Sequence, residues 1–107
     1  MTKGNTSSKL VVVPTYNEKE NIREIISAIL DQPIQPHVLI VDDGSPDGTG
    51  QIVKELQDHY GADTLHLIER EGKLGLGSAY IAGFKYGLAK GYQFIFEMDA
   101  DFSHKPK

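Results

Sequence analysis

The chain has 107 residues, 39% of them hydrophobic and 24% charged, which suits one small globular domain and argues against a disordered chain. Eleven Lys and Arg against fifteen Asp and Glu give a formal charge of −4, the wrong sign for a nucleic-acid backbone binder and a suitable one for gathering divalent cations. With no cysteine, a disulfide framework and a thiolate zinc site are excluded, and a reducing cytoplasm is the expected compartment.

Residues 1–8 are polar and read as a disordered arm, without the apolar stretch of a signal peptide. Apolar runs of four to five residues fall far short of the ~20 that span a bilayer. Membrane association is therefore expected to be peripheral, at a cytoplasmic face, or to come through segments outside this chain. Leu10 to Val13 reads as a buried strand stopped by Pro14. Asn17 stands at an N-cap position with Glu20 three residues on, a capping-box spacing. The helix that follows carries Ile22, Ile25, Ile26, Ile29 and Leu30 on one stripe, and Pro33 and Pro36 end it. Val38 to Val41 is a second buried strand running into the turn-rich segment Asp42 to Gly48. A second helix points Ile52, Val53, Leu56 and Tyr60 inward and stops at Gly61. Leu65 to Ile68 is a third, weaker strand. A polar, glycine-rich loop from Glu69 to Gly77 leads to a third helix, predicted to point Tyr80, Phe84 and Leu88 inward, with Ala79, Gly83 and Gly87 allowing close packing. Phe94 to Phe96 is the fourth strand.

Alternating strands and helices predict an α/β fold, a parallel sheet with helices on both faces. Ligands of such sheets bind beyond the carboxyl ends of the strands. That rule brings together the segments 14–18, 42–45 and 99–101. Asp99 and Asp101, at i and i+2 of an extended segment, point the same way and can share a hard cation, Mg²⁺ or Mn²⁺, that bridges to diphosphate oxygens; they are the candidate catalytic pair. The neighbours Asp42 and Asp43 diverge, so one of them is expected to accept hydrogen bonds from a nucleobase or ribose. The same stretch is also good turn chemistry, with Asp47 as turn and cap. Tyr16 offers a flat face to a base. Glu18 either meets a sugar hydroxyl or favours the helix N-terminus. Arg70 and Lys73 are either phosphate contacts or parts of a surface loop. The loop lacks the spacing of a P-loop and of a dinucleotide fingerprint. His37, His59 and His66 read as surface or strand-edge residues, and His104 lies close after Asp101.

The motifs at residues 13–18, 41–49, 75–80 and 98–104 closely resemble those of family 2 glycosyltransferases and, among these, of dolichol- or polyprenyl-phosphate mannosyltransferases. The resemblance covers residues 9–107. It implies a GT-A fold of which this chain is the nucleotide-sugar-binding half, truncated before the rest. It implies an enzyme that transfers mannose from GDP-mannose to a lipid phosphate with inversion, the acceptor being held by parts absent here. Pro14, Tyr16, Glu18, Val41 and one or both of Asp42 and Asp43 would hold the nucleotide. Asp99, Ala100 and Asp101, the DXD motif, would hold the diphosphate and metal, and Ser103 stands where some relatives carry a Gln metal ligand. On this reading the isolated chain turns over little or nothing. The rivals are a family 2 enzyme using a UDP-sugar and a non-catalytic Mg²⁺-binding signalling module.

Overall fold

Seven elements alternate along the chain in the computed structural model, which describes residues 8–33, 35–72 and 75–99. They are β1 (Lys9–Thr15), α1 (Ile22–Leu30), β2 (His37–Asp42), α2 (Thr49–Tyr60), β3 (Leu65–Glu69), α3 (Leu76–Lys90) and β4 (Phe94–Glu97). The strands form one parallel sheet in the order β3-β2-β1-β4. The chain steps outward from β1 to β2 and β3, then returns to the other side of β1, so strand order reverses between β1 and β4. The isoleucines of α1 pack with Val53 of α2 on one face of the sheet, and α3 covers Leu10, Val12, Leu39 and Val41 on the other. The expected α/β sheet with helices on both faces is thus the observed one.

Three local expectations are corrected. Pro14 does not stop β1, which runs to Thr15 in register with Val41 and Asp42. In a parallel ladder alternate residues bond to opposite neighbours. Thr15 accepts from Asp43 N–H on the β2 side, and Val12 accepts from Met98 N–H on the β4 side. Pro14 belongs to the β4-facing set, so its missing N–H ends only that ladder.

The capping box does not form. α1 starts at Ile22, and Asn17 takes a left-handed φ of 57°. Three successive N–H groups, of Asn17, Glu18 and Lys19, instead donate to Ser45 Oγ, Thr49 Oγ1 and Asp47 Oδ2 at 2.8, 3.0 and 3.1 Å. Side-chain acceptors from the β2–α2 loop and the first residue of α2, which no local rule sees, satisfy these backbone groups.

The inward face of α3 is the small-residue face. Ala79, Gly83 and Gly87 are buried, as the close packing expected of them requires, and Tyr80 packs partly buried against the same core, while Phe84 and Leu88 are 50% and 58% exposed. A Cβ built on Gly83 would lie 2.3 Å from Val12 Cγ1, and one on Gly87 2.7 Å from Ile95 Cδ1. The helix backbone therefore lies directly on β1 and β4. Val12 is itself β-branched and fully buried, so it cannot swing aside. Gly83→Val is expected to lift α3 off the sheet and to lower stability by about 1–3 kcal/mol, net of the helix propensity gained. An unchanged urea midpoint would contradict this packing.

At the amino ends of the strands, away from the ligand end, Tyr92 Oη bonds His37 Nδ1 at 2.6 Å and His66 Nε2 at 3.0 Å, and Tyr86 Oη bonds His66 Nδ1 at 2.8 Å. His66 thus lies on the edge strand β3, as expected of a strand-edge residue, and His37 is buried at the start of β2; both belong to a partly buried network. Burial, reinforced by His37 and Lys90, pushes the His66 pKa below its ordinary 6.5 despite the opposing pull of Asp63. The unfolded chain then binds the proton more readily, so stability falls as pH drops through about 6.5 toward the folded pKa. Melting temperature is expected to decline from pH 7 to pH 5, and less steeply in His66→Gln; parallel profiles would remove His66 as the cause.

Candidate active site

The sharp turn after β2 begins with Asp42, which is 2% exposed. Its carboxylate accepts from Thr15 Oγ1 at 2.6 Å, Ser45 Oγ at 2.7 Å and Ser45 N–H at 3.0 Å. Ser45 Oγ in turn accepts from Asn17 N–H. Asp42 is thus the knot that ties the β1–α1 loop to the β2–α2 loop, and it is spent inside the protein. Asp47 has the turn role expected of it, accepting from Thr49 N–H and Oγ1 at 3.0 and 2.6 Å, while the N-cap position of α2 falls to Gly48. Although partial burial opposes ionisation, these bonds and the Lys19 N–H hold its carboxyl below the usual value.

Asp43 points the other way, as adjacent residues at a strand end do. It lines a cleft of about 220 Å³ with Pro14, Thr15, Tyr16 and Glu18 from the end of β1. Gly75 and Leu76 at the start of α3 and Asp99 just past β4 close the other side. The cleft sits beyond the carboxyl ends of β1, β2 and β4, where strand order reverses, which is where open α/β sheets bind ligands. Its volume is below the ~300–1,000 Å³ of sites that enclose drug-sized ligands. The described residues thus line at most part of a site of that size.

Of the residues singled out from sequence, Pro14, Tyr16, Glu18, Asp43 and Asp99 come together here. Asp42 does not, for the reason just given. Val41 does not either: its side chain is 0% exposed and packs with Leu10 and Val12 under α3. Lys73, Ala100, Asp101, Ser103 and His104 lie outside the described residues. Sequence reasoning places Thr15 at the ligand end within the segment 14–18 but gives it no role, and it does not find Gly75 and Leu76 as lining residues. Thr15 had a signal, a hydroxyl between Pro14 and Tyr16 at a strand end, whereas the other two reach the cleft only because α3 docks where it does.

Arg70 does not line the cleft. Its Nε and Nη2 donate to Asp43 Oδ1 and Oδ2 at 2.7 and 3.1 Å, and its Nη1 donates to Ser78 Oγ at 2.7 Å. Gly44, at φ +70°, lets the two loops meet, since a Cβ there would lie 2.8 Å from Gly72 N. Besides Asp43, the carboxylates of Glu18 and Asp99 line the cleft. Burial, and then Asp99 and Glu97, push the Tyr80 hydroxyl pKa above its ordinary value. Carboxylate oxygens such as that of Asp99 are the ligand type that hard divalent cations take. Among the described residues no three acidic or histidine side chains gather as a complete metal cage. Asp99 brings one carboxylate of that type to the cleft.

A parallel sheet carrying an acidic cleft at its switch point, with helices on both faces, is the GT-A-like arrangement of nucleotide-sugar transferases. The chain matches the family Glycosyl transferase family 2 over residues 10–107 and belongs to that family. It is 49% identical over 102 residues to the polyprenol monophosphomannose synthase of Mycolicibacterium smegmatis, covering 95% of this chain and 38% of that protein. It is 45% identical over 100 residues to the undecaprenyl-phosphate mannosyltransferase of Micrococcus luteus, covering 92% of this chain and 40% of that protein. The chain thus spans about two fifths of the length of these curated relatives. Among solved structures it is similar to the Pyrobaculum calidifontis mannosyltransferase PcManGT in complex with GDP-Man and Mn²⁺, with a TM-score of 0.69 and 29% identity over 74% of this chain and 24% of that one. Staphylococcus aureus TarS gives a TM-score of 0.57 and 29% identity over 87% of this chain and 27% of that one. Family membership removes the signalling-module reading. No helix among the described residues is long and apolar enough to cross a membrane.

Proposed function

We propose that this chain is the donor-binding part of a hexosyltransferase that moves mannose from GDP-mannose to a polyprenyl or dolichyl phosphate with inversion. The observation that carries the reading is the convergence of Asp43 from β2 and Asp99 from β4 on one cleft beside Tyr16 and Glu18. The names of the two mannosyl-transferring relatives, and the GDP-Man and Mn²⁺ bound by PcManGT, support donor and cofactor. In this reading Tyr16 stacks on the base, Asp43 accepts a hydrogen bond from base or ribose, and Glu18 meets a hydroxyl. Asp99, with Asp101 and Ser103, would hold Mg²⁺ or Mn²⁺, which when bound neutralises the diphosphate charge of the leaving nucleotide. Lys73 and Ala100 would lie along the diphosphate. A lipid phosphate is already an anion at neutral pH, so the chain need supply no general base for it. In-line attack opposite the nucleotide then inverts the anomeric carbon. The acceptor would bind at the cytoplasmic face of a membrane.

Isothermal titration of the chain with GDP-mannose and with UDP-glucose, each with Mn²⁺ and with EDTA, tests this. The expected result is heat from GDP-mannose that requires Mn²⁺. Preference for UDP-glucose would replace the donor by a UDP-sugar, the other family 2 reading. Heat from neither would end the reading of this cleft as a donor site.

A further inference from the structure

The guanidinium of Arg70 sits at the junction of three segments. On one side it makes a two-toothed ion pair with Asp43, the side chains being 12% and 8% exposed. On the other it donates to Ser78 Oγ at 2.7 Å and to the Gly75 carbonyl at 3.4 Å, on the cap and first turn of α3. Its own backbone N–H is fixed by the Asp42 carbonyl at 2.8 Å. A guanidinium has five N–H donors in a rigid fork, and four of them meet these partners, the Gly75 contact being the longest. A cation so occupied and so little exposed is poorly placed to take a diphosphate oxygen. It is well placed to hold Asp43 on one wall of the cleft and Gly75 and Leu76 on the other in fixed relation.

We infer that Arg70 is a positioning residue: it acts on the donor through Asp43 and the α3 start, and not by contacting the diphosphate. The inference deepens the proposed function and rests on it for the identity of the ligand. The clamp itself is a property of the protein alone. Lysine cannot replace it, because a single ammonium cannot span Asp43 two-toothed while reaching Ser78 and Gly75. A lysine would, however, still attract a phosphate.

The probes are GDP and guanosine, titrated into the chain and its Arg70→Met, Arg70→Lys and Asp43→Asn variants. Positioning predicts that Arg70→Met weakens GDP and guanosine equally, by about tenfold, the size of one lost charge-assisted contact. It predicts that Arg70→Lys does no better and that Arg70→Met adds little in an Asp43→Asn background. Loss confined to GDP and largely restored by lysine overturns the inference in favour of a phosphate contact. Amide hydrogen exchange on the ligand-free chain separates this from the functional reading. If neither probe binds the unaltered chain, the donor reading falls, and faster exchange at residues 43 and 75–79 in Arg70→Met still upholds the clamp. Unchanged exchange at those amides overturns it.

Discussion

Replacing Asp99 by asparagine is expected to weaken Mn²⁺-dependent binding of GDP-mannose by at least about 100-fold, on the order of 3 kcal/mol. Asp99 is exposed just past the end of β4 and lines the cleft. The substitution keeps size and polarity and removes the negative charge a hard cation requires. Because the residue is exposed at a strand end, folding stability should stay within about 0.5 kcal/mol of the parent. The decisive comparison is titration of parent and variant with Mn²⁺ and with EDTA. The variant should lose the difference between the two conditions along with the affinity. A variant that still binds in an Mn²⁺-dependent way would remove Asp99 from the metal site.

Asparagine at Asp42 is expected to do the opposite. The residue is interior, and its two oxygens accept from two hydroxyls and one N–H. An asparagine keeps the carbonyl that Thr15 and Ser45 hydroxyls use, but turns an NH₂ toward the Ser45 N–H. One buried donor loses its acceptor, at a cost of about 1–3 kcal/mol. For a domain of this size each kcal/mol shifts the melting temperature by roughly 4–8 °C. The affinity of the folded protein for nucleotide should not change, because Asp42 does not line the cleft. Loss of affinity with intact stability would assign Asp42 to the ligand, and two neighbouring acids would then share one role.

The contrast between Asp42 and Asp43 marks the limit of what a motif conveys. Spacing alone says that neighbours at a strand end diverge. It does not say which side chain turns inward, because that depends on which acceptors Thr15 and Ser45 need once two loops have met. The same holds for Arg70. Its charge in a glycine-rich loop reads equally well as a phosphate ligand, and only the approach of Gly44 to Gly72 and the docking of α3 bring Asp43, Ser78 and Gly75 around it.

Residue order was enough to establish the alternation of strands and helices and, to within two residues, where the strands end. One-sided isoleucine stripes carry the helical period, and the continuous β-branched runs are too short for helices and are bounded by turn residues. It also located the acids of the cleft, because a polar cluster directly after a buried strand has nowhere to go but the strand's carboxyl end. The start of α1, the face on which α3 packs and the division of labour between Asp42 and Asp43 emerge only when the elements meet in space. Each depends on partners far away in the chain: Ser45, Asp47 and Thr49 for the loop before α1, Val12 and Ile95 for Gly83 and Gly87, and Thr15 and Arg70 for the two acids. Local periodicity favoured the larger apolar residues of α3. Close approach of helix backbone to sheet favoured the smallest, and in a densely packed interior close approach wins.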